Sequence, residues 1–512
     1  MFTYMKKLNF LLAFCLIANI VWSQKQSLDN VLNAKARGIG AIMKDNTVNG
    51  YFSFCELDKN DKKSKNYQLS ILDQNLSPVN SKKFASEFDL LATEAIYNGE
   101  LIMIKFLDEK SDKFILKTYN ATGDEVRSIS LEMKKLADTY IDADSKESLF
   151  ETIFPIENKG FAHLISKRRG GILSKTFVEF TFIPNDKSMK EWTWVSDENS
   201  ETFDKGLFIG CKDNVILLNV VKSKSRAEIH EFIIGLDYKS GKQLYDKPFK
   251  GKSYNLSTSE STQIANGNFW IAGYYFNKDE NYANGTPIGI FGIETNDNGD
   301  IVNEKYLNLK TTINKLVRNK DKNQVKNLYF TIFKFLNIDN KFYLISEGYG
   351  ANKLKDFYVF ELENDFTLKR IETFEKNERL GVSLLPTANK ALKQGLNYNH
   401  FNKASQNGNF NVFGSTFNFT QTNKSKTEFT LCYTDVEKAK FKMPGLLETQ
   451  KEYDSFYRIV IFKNGEFIND KIKFDTKAKW QQIYPAKSGY VMIAEYFKKE
   501  KKLEFRMEKV NF

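Results

Sequence analysis

The feature that most constrains this chain is an alternation of strand-like segments and polar turns, first clear between Gly50 and Phe84. Large apolar residues dominate positions 51–57, and aromatic or β-branched side chains suit a packed, pleated sheet. Residues 58–65 are polar or charged throughout, which predicts a solvated hairpin tip. Apolar and polar residues then alternate over 67–71, the two-residue period of a strand. The stretch therefore predicts consecutive antiparallel strands.

The same pattern returns along the chain. Asn98-Gly99 lies between two apolar runs and is among the strongest hairpin signals. Later units share an ending, in which an apolar strand, an acidic or Asn-containing turn and another strand follow one another: GLDYKSGKQLYDKPF from Gly235, GIETNDNGDIVNEKYL from Gly292, FELENDFTLKRIETF from Phe360 and FKNGEFINDKIKF from Phe462. They also share a middle strand: KGFAHLISK, NVILLNVVK, GNFWIAGYYF, NKFYLISEGY, GNFNVFGSTF and SGYVMIAEYF.

Seven or eight such units, each of roughly 45 to 75 residues, predict an all-β, β-propeller-like fold with four strands per unit. The last unit shows three strand-like runs, at 480–485, 489–497 and 503–510. Ser27 to Leu32 can supply its fourth strand, so we expect the N- and C-terminal strands to pair and close the ring. The alternative is a series of tandem β-sandwich domains, which would need linkers that we do not find.

The N-terminal residues 1–23 have the composition of a secretory signal peptide. Lys6 and Lys7 precede an apolar run over residues 8–22, and Ser23 lies where cleavage is expected. A membrane anchor is the alternative, but the run is shorter than the roughly 20 residues that span a bilayer. We therefore expect an exported protein that is periplasmic, outer-membrane-associated or secreted. Residues 24–512 are expected to form a single β-propeller-like domain without a transmembrane segment.

The charge of +11, from 75 basic and 64 acidic residues, raises the question of a nucleic-acid partner. The basic residues are scattered among acidic ones, as in residues 58–62. The densest short clusters, Lys167 to Arg169 and Lys498 to Lys502, carry no recognisable nucleic-acid motif. We therefore expect a Lys-rich solvated surface, no nucleic-acid partner and a monomer.

Candidate chemical residues are sparse. His163, His230 and His400 are the only histidines, and none has a second His or a Cys at metal-ligand spacing. Cys55, Cys211 and Cys432 are far apart in apolar runs, which is typical of buried small hydrophobic residues. The alternative is that an exported protein pairs two of them and leaves one over. We expect no metal and no cofactor. The sequence assigns no catalytic, cofactor-binding or metal-binding residue, and the ligand-binding residues are unknown.

Three local motifs have two interpretations each. Residues 235–242 approach a phosphate-binding loop, but the spacing is one residue too long. Residues 294–299 resemble a calcium loop, yet Lys305 stands where the bidentate Glu would be, so a hairpin turn is favoured. Trp192 and Trp194 share one face of a strand and could stack on a sugar, although core packing is favoured because Trp buries a large apolar area.

Several of these segments also carry a family resemblance. The N-terminal signal, GYFSFCELDKNDKKSKNYQLSILDQNL, NGELIMIKFLD and the closing KLEFRMEKVNF resemble an uncharacterised family of exported flavobacterial-type, β-rich, propeller-like proteins, a domain of unknown function. The resemblance covers most of the chain and rests on structural motifs. It implies an exported β-rich protein and transfers no catalytic or binding residue.

Three classes of function fit this sequence. The first is a non-catalytic exported binding or scaffold protein of the bacterial cell envelope, with a protein or glycan partner. The second is a propeller-type hydrolase or lyase that acts on glycan or peptide. The third is a surface-associated component held by another envelope protein, which a large exposed apolar patch would favour. A convergent cluster of carboxylates, His or Tyr would favour the second. We favour the first, because no catalytic motif is recognisable.

Overall fold

The computed structural model is almost entirely β. It describes residues 25–29, 31, 38–59, 64–108, 110–111, 113–132, 152–168, 175–225, 227–281, 285–317, 328–350, 353–377, 416–436, 440–442, 450–452, 455–473, 478 and 480–510. The predicted signal segment lies outside these residues. Within them, no helix has the length and apolar character needed to cross a bilayer.

The described strands of the ring form eight four-stranded antiparallel blades, and one short parallel pair joins blade 1 to blade 2 and another joins blade 3 to blade 4. Blades 1 and 2 contain β2 (Ile39–Lys44), β3 (Thr47–Lys59), β4 (Lys65–Leu72), β5 (Pro78–Ser86), and β6 (Leu90–Tyr97), β7 (Ile102–Asp108), β8 (Lys113–Tyr119), β9 (Glu125–Glu132). Blades 3 and 4 contain β10 (Ile153–Ile156), β11 (Gly160–Arg168), β12 (Thr176–Pro184), β13 (Trp192–Val195), and β14 (Phe203–Lys212), β15 (Val215–Ser223), β16 (Ile229–Asp237), β17 (Gln243–Pro248).

Blades 5 and 6 contain β18 (Asn255–Gln263), β19 (Phe269–Phe276), β20 (Gly289–Thr295), β21 (Ile301–Asn308), and β22 (Tyr329–Ile338), β23 (Lys341–Gly350), β24 (Lys353–Leu362), β25 (Leu368–Phe374). Blades 7 and 8 contain β26 (Phe417–Thr422), β27 (Phe429–Val436), β30 (Ser455–Lys463), β31 (Glu466–Ile472), and β32 (Trp480–Pro485), β33 (Tyr490–Phe497), β34 (Lys502–Lys509), β1 (Lys25–Leu28).

A few further elements lie between the blades. A small hairpin joins β28 (Lys440–Lys442) to β29 (Gln450–Glu452). A π-helical turn, Leu309–Ile313, continues into the short helix Asn314–Leu316 after blade 5. The Asn308 side chain accepts hydrogen bonds from the first N–H groups of this turn, which would otherwise have no partner.

Among the described residues, eight apolar clusters each lie between two successive blades, with the last between blades 8 and 1. A smaller cluster of Leu107 and Phe114 lies in blade 2. We name each contact by its blades, as seam 5/6. Because side chains alternate along a strand, one strand serves two seams. In β19, Phe269 and Ile271 enter seam 4/5, whereas Trp270 and Ala272 enter seam 5/6. The eight seams close a ring, which confirms the propeller-like fold.

The predicted closure by the two chain ends is also confirmed. Strand β1 is antiparallel to β34, with Lys25 opposite Arg506 and Leu28 opposite Leu503. The strand lies slightly earlier than the expected Ser27 to Leu32. It ends at Leu28, and Val31 turns into seam 8/1, where its carbonyl accepts a 2.9 Å hydrogen bond from the Tyr496 hydroxyl. Burial of Val31 therefore outweighs continuation of the strand.

The repeated sequence patterns correspond to defined strands. Five of the six middle-strand segments form the second strand of a blade. The sixth, GNFNVFGSTF, lies almost wholly outside the described residues, and the second strand of blade 7 is Phe429–Val436 instead. The acidic or Asn turns join the third and fourth strands. In five blades an Asp or Asn side chain at this turn accepts at least one backbone N–H group: Asp73, Asn120, Asp237, Asn296 and Asp365.

The first strands of successive blades contact each other, as β18 and β22 do. Five of these first strands contain a β-bulge at a similar level: Ala92/Glu94, Phe208/Gly210, Thr258/Glu260, Ile332/Lys334 and Phe417/Phe419. One extra residue opposite a continuous neighbour bends and twists a strand. The first strands therefore curve at the level where they meet.

A second contact helps to close the ring, because it joins blade 1 directly to blade 7. The turn between β2 and β3 holds Asp45 and Asn46 at φ 47° and 65°. The Asn46 carbonyl accepts a 2.7 Å hydrogen bond from the N–H of Thr422 in blade 7. The Asn46 amide also lies 3.1 Å from the Thr420 hydroxyl. Blade 1 is therefore bonded directly to blade 7.

We expect Asn46→Gly to lower the free energy of unfolding by about 1 kcal/mol, because the side-chain hydrogen bonds to Thr420 are lost. Asn340→Gly is the matched control. Asn340 lies in the equivalent turn of blade 6 at φ 58°, and its side chain has no hydrogen bond within the described structure. Both changes add the same freedom to the unfolded chain. Equal urea midpoints for the two variants would show that the side-chain hydrogen bonds between Asn46 and Thr420 contribute nothing to stability.

Candidate functional site

The ring has two unlike faces. In an antiparallel blade, the first strand begins, the second ends, the third begins and the fourth ends on the same side. This side, the connection face, carries every link between blades. The opposite side, the hairpin face, carries tight turns such as Asp45–Asn46 and Asn464–Gly465. The longest links between consecutive strands, including Phe374 to Phe417 and Glu132 to Ile153, all leave from the connection face.

A buried group of charges lies in seam 6/7 at the connection face. Glu347, near the end of β23, is 1% exposed and forms an ion pair with the ammonium of Lys376, whose side chain is 2% exposed. The hydroxyl of Thr416, the residue before β26, donates to the same Glu347 oxygen at 3.1 Å. One carboxylate therefore holds the chain both after blade 6 and before blade 7.

Two more carboxylates bind the backbone beside this ion pair. Asp356 accepts the N–H of Lys376 at 3.1 Å. Asp435 accepts the N–H of Asn377 with both oxygens, at 3.1 and 3.0 Å. Arg458 donates its Nε to Asp435 at 3.3 Å and its Nη2 to the Asn377 carboxamide at 3.0 Å. We call Glu347, Asp356, Lys376, Asp435 and Arg458 the seam 6/7 charge cluster.

The chemistry of this cluster is that of a fixed anchor. Glu347 pairs with Lys376, and Asp435 with Arg458, so both cations are matched by carboxylates. The ammonium also lies 4.8 Å from the centre of the Phe357 ring, a further favourable contact for a cation. Because the carboxylates accept backbone N–H groups, they determine where the chain leaves and re-enters the ring. The cluster thus positions the connection face.

The histidines considered in the sequence analysis are not brought together. His163 is buried in β11 beside blade 2, and His230 is exposed on β16. His400 lies outside the described residues. Across the described part of the chain, no group of three or more His, Cys, Asp or Glu side chains is arranged to hold a metal ion.

The cysteines and tryptophans have structural surroundings. Cys55 and Cys432 are buried and Cys211 is half-buried, all as free thiols. Burial raises the pKa of Cys55 to about 12 and that of Cys211 to about 11, so both stay protonated at neutral pH. Trp192 packs on Phe180 and Phe182 and donates to the Tyr238 carbonyl at 2.9 Å. Both Trp192 and Trp194 are half-buried and pack against the apolar cluster of seam 3/4.

Both loop-like motifs are tight turns. In the segment that resembled a calcium loop, the Asn296 carboxamide accepts the N–H groups of Asn298 and Asp300 at 3.0 and 2.9 Å. In the segment near a phosphate-binding loop, Asp237 accepts the N–H of Ser240 at 2.8 Å. Hairpin turns therefore account for both. The seam 6/7 charge cluster itself was missed, because its members are scattered from residue 347 to residue 458 and follow no local pattern.

A family model matches residues 5–355 and 350–511 and is described as a family of unknown function, DUF6770. The chain belongs to this DUF6770 family. Membership confirms the expectation of an uncharacterised family, and it assigns no activity to the fold. No curated protein matches the chain.

Several solved structures are similar to this DUF6770 protein in fold. One is a prolyl endopeptidase, with 11% identity and a TM-score of 0.39. The match covers 90% of this chain and 53% of the endopeptidase. Prolyl oligopeptidase B from Galerina marginata has 9% identity, a TM-score of 0.40 and coverage of 91% and 56%. For the quinohemoprotein alcohol dehydrogenase ADHIIG from Pseudomonas putida HK5, the identity is 7% and the TM-score is 0.37, and the match covers 80% of this chain and 64% of the dehydrogenase. No activity is transferred from them.

We expect Lys376→Met to lower the free energy of unfolding by about 3–5 kcal/mol, because Glu347 would stay buried without its cation. The double variant Glu347→Gln/Lys376→Met should recover most of this loss, since no unpaired charge remains. Lys117→Met is the control: its exposed ion pair with Glu125, at 2.9 Å, should contribute less than about 1 kcal/mol. Chemical denaturation measures all three, and additive losses in the double variant would contradict a coupled pair.

Proposed function

We propose that this protein is an exported, non-catalytic binding or scaffold module of the bacterial cell envelope, with its partner surface on the connection face. The observation that carries the proposal is the asymmetry of the ring. Long links leave from one face only, and tight turns close the other. Binding residues are found disproportionately on connecting segments that a rigid scaffold positions. The connection face is therefore the surface for a protein or glycan partner.

The buried charges of this face support binding rather than acid–base chemistry. A general acid or base must reach a substrate proton within hydrogen-bond distance. In the seam 6/7 charge cluster, Glu347 is almost completely buried and is held by Lys376 and Thr416. Asp435 likewise accepts hydrogen bonds from Arg458 and from the Asn377 N–H. The cluster supports a role in fixing the geometry of a binding surface.

The partner face can be tested by tethering the protein in two orientations. Lys278→Cys places a thiol on the connection face, after β19, and Lys424→Cys places one on the hairpin face, after β26; both residues are exposed. Cys211→Ser removes the half-buried native thiol from both variants. Each protein is biotinylated at its new cysteine, immobilised and exposed to solubilised envelope proteins and envelope glycans.

We expect saturable retention of a component when the protein is tethered through position 424, and its loss when it is tethered through position 278. Excess soluble protein should compete for the retained component, which separates binding from adsorption. Retention that is equal in the two orientations, or stronger through position 278, would move the partner surface away from the connection face.

Export is supported by Lys6, Lys7 and the apolar run that follows them. We expect mass spectrometry of the protein from envelope or culture-supernatant fractions to show a chain that begins near residue 24. Leu12→Arg interrupts the apolar run and should retain the uncleaved chain in the cytoplasm. An intact Met1 on the wild-type protein in the envelope fraction would contradict cleavage.

A further inference from the structure

Seam 2/3 contains a buried histidine in apolar surroundings. His163 is completely buried in β11, and neither ring nitrogen has a hydrogen-bond partner among the described residues. Its ring meets the Phe114 ring edge-on, with the centroids 5.5 Å apart. A buried polar group normally finds a partner, because leaving it unpaired costs about 1–3 kcal/mol. The neutral imidazole is the form that this surrounding can accept.

The charged groups that face His163 are two lysines that already have carboxylate partners. Lys105, in β7, is fully buried, and its ammonium contacts Glu94 at 2.9 Å and the Thr152 hydroxyl at 2.5 Å. Lys167, in β11 itself, contacts Glu179 of β12 at 2.7 Å. A protonated His163 would therefore be a third cation beside two ammonium groups, with no acceptor of its own in the described structure.

These surroundings give the imidazole a defined pH dependence. Burial, reinforced by the ammonium groups of Lys105 and Lys167, holds the pKa of His163 well below its usual value of 6.5. When the seam is open, the imidazole is solvated and titrates near that usual value. The closed seam therefore has its full stability above about pH 6.5 and loses stability as the pH falls below it.

We propose that seam 2/3 is an acid-sensitive joint of the ring, which opens ahead of the other seams when His163 takes up a proton. The proton goes to a ring nitrogen that the closed seam leaves without an acceptor. Opening lets water solvate the imidazolium and separates it from the Lys105 ammonium. In a closed ring, loss of one seam exposes apolar faces of blades 2 and 3 and leaves the remaining seven in place.

Seam 4/5 provides an internal control with the opposite dependence. Glu231 is buried, and its carboxyl group contacts the Thr258 N–H and hydroxyl at 3.1 and 2.6 Å and the Asn219 carboxamide at 3.1 Å. Burial raises its pKa to about 7, although these hydrogen bonds oppose the shift. Since the opened carboxyl titrates near 4.5, acid favours the closed form of seam 4/5.

Hydrogen exchange read by mass spectrometry tests the joint in the intact mature protein at about pH 5 and about pH 7.5, after correction for intrinsic exchange rates. We expect peptides from β7, β8 and β11 to lose protection in acid, by up to about tenfold per pH unit for one proton. Peptides from β16 and β18, at seam 4/5, should keep or gain protection. Uniform loss across all eight blades would overturn the proposal.

Two substitutions connect the effect to the imidazole. His163→Phe keeps an aromatic edge against Phe114 and cannot titrate, so the acid-specific loss in blades 2 and 3 should disappear. His163→Leu serves the same purpose if the larger ring is not accommodated. His230→Phe removes an exposed histidine and should leave the wild-type pattern. Acid opening of seam 2/3 that persists in the His163 variants would assign it to another group and sink the proposal.

Discussion

The rest of the structure depends on apolar contact between both faces of every blade and its neighbours. Strand β19 shows this most fully, since all eight of its residues are buried and alternate between seams 4/5 and 5/6. A blade with two apolar faces cannot stand at the end of a row without exposing one of them and its strand edges to water. A closed ring removes both exposures. Pairing of β1 with β34 and the Asn46 contact with blade 7 both serve this closure.

Polar contacts within the seams fix the position of one blade relative to the next, which apolar burial alone does not do because it is non-directional. Three seams share one type of contact, in which a buried ionisable side chain of one blade contacts a threonine at or near the start of the next blade's first strand: Lys105 with Thr152, Glu231 with Thr258, and Glu347 with Thr416. Apolar surfaces tolerate sliding, because burial depends on area rather than direction. A slipped seam would break this hydrogen bond to threonine, at a cost of about 1–3 kcal/mol.

The sequence predicts the features that depend on neighbouring residues and misses the contacts between residues that are far apart in the chain. Strands, turns and the terminal pairing follow from alternation and turn residues within short windows, as at Asn98-Gly99. The bulges in the first strands and the seam 6/7 charge cluster arise from neighbours that the ring brings together. Glu347 and Asp435 are ordinary acidic residues in strands until Lys376 and Arg458 reach them. The burial of His163 also cannot be predicted from the sequence, because it depends on blade 2, which packs against β11 and shields the imidazole from water.

The two faces differ because the seams, the tight turns and the links between blades have different roles. Apolar seams hold the ring, and tight turns with residues at positive φ close the hairpin face with little chain. Some described link residues on the connection face also enter the core, as Leu309, Ile313 and Val317 do in seam 5/6, and loop length is inexpensive thermodynamically. In the link from blade 6 to blade 7, the described ends are fixed, because Glu347, Asp356 and Asp435 bind Lys376, Asn377 and Thr416. A ring built this way can vary its long links while their points of departure stay fixed.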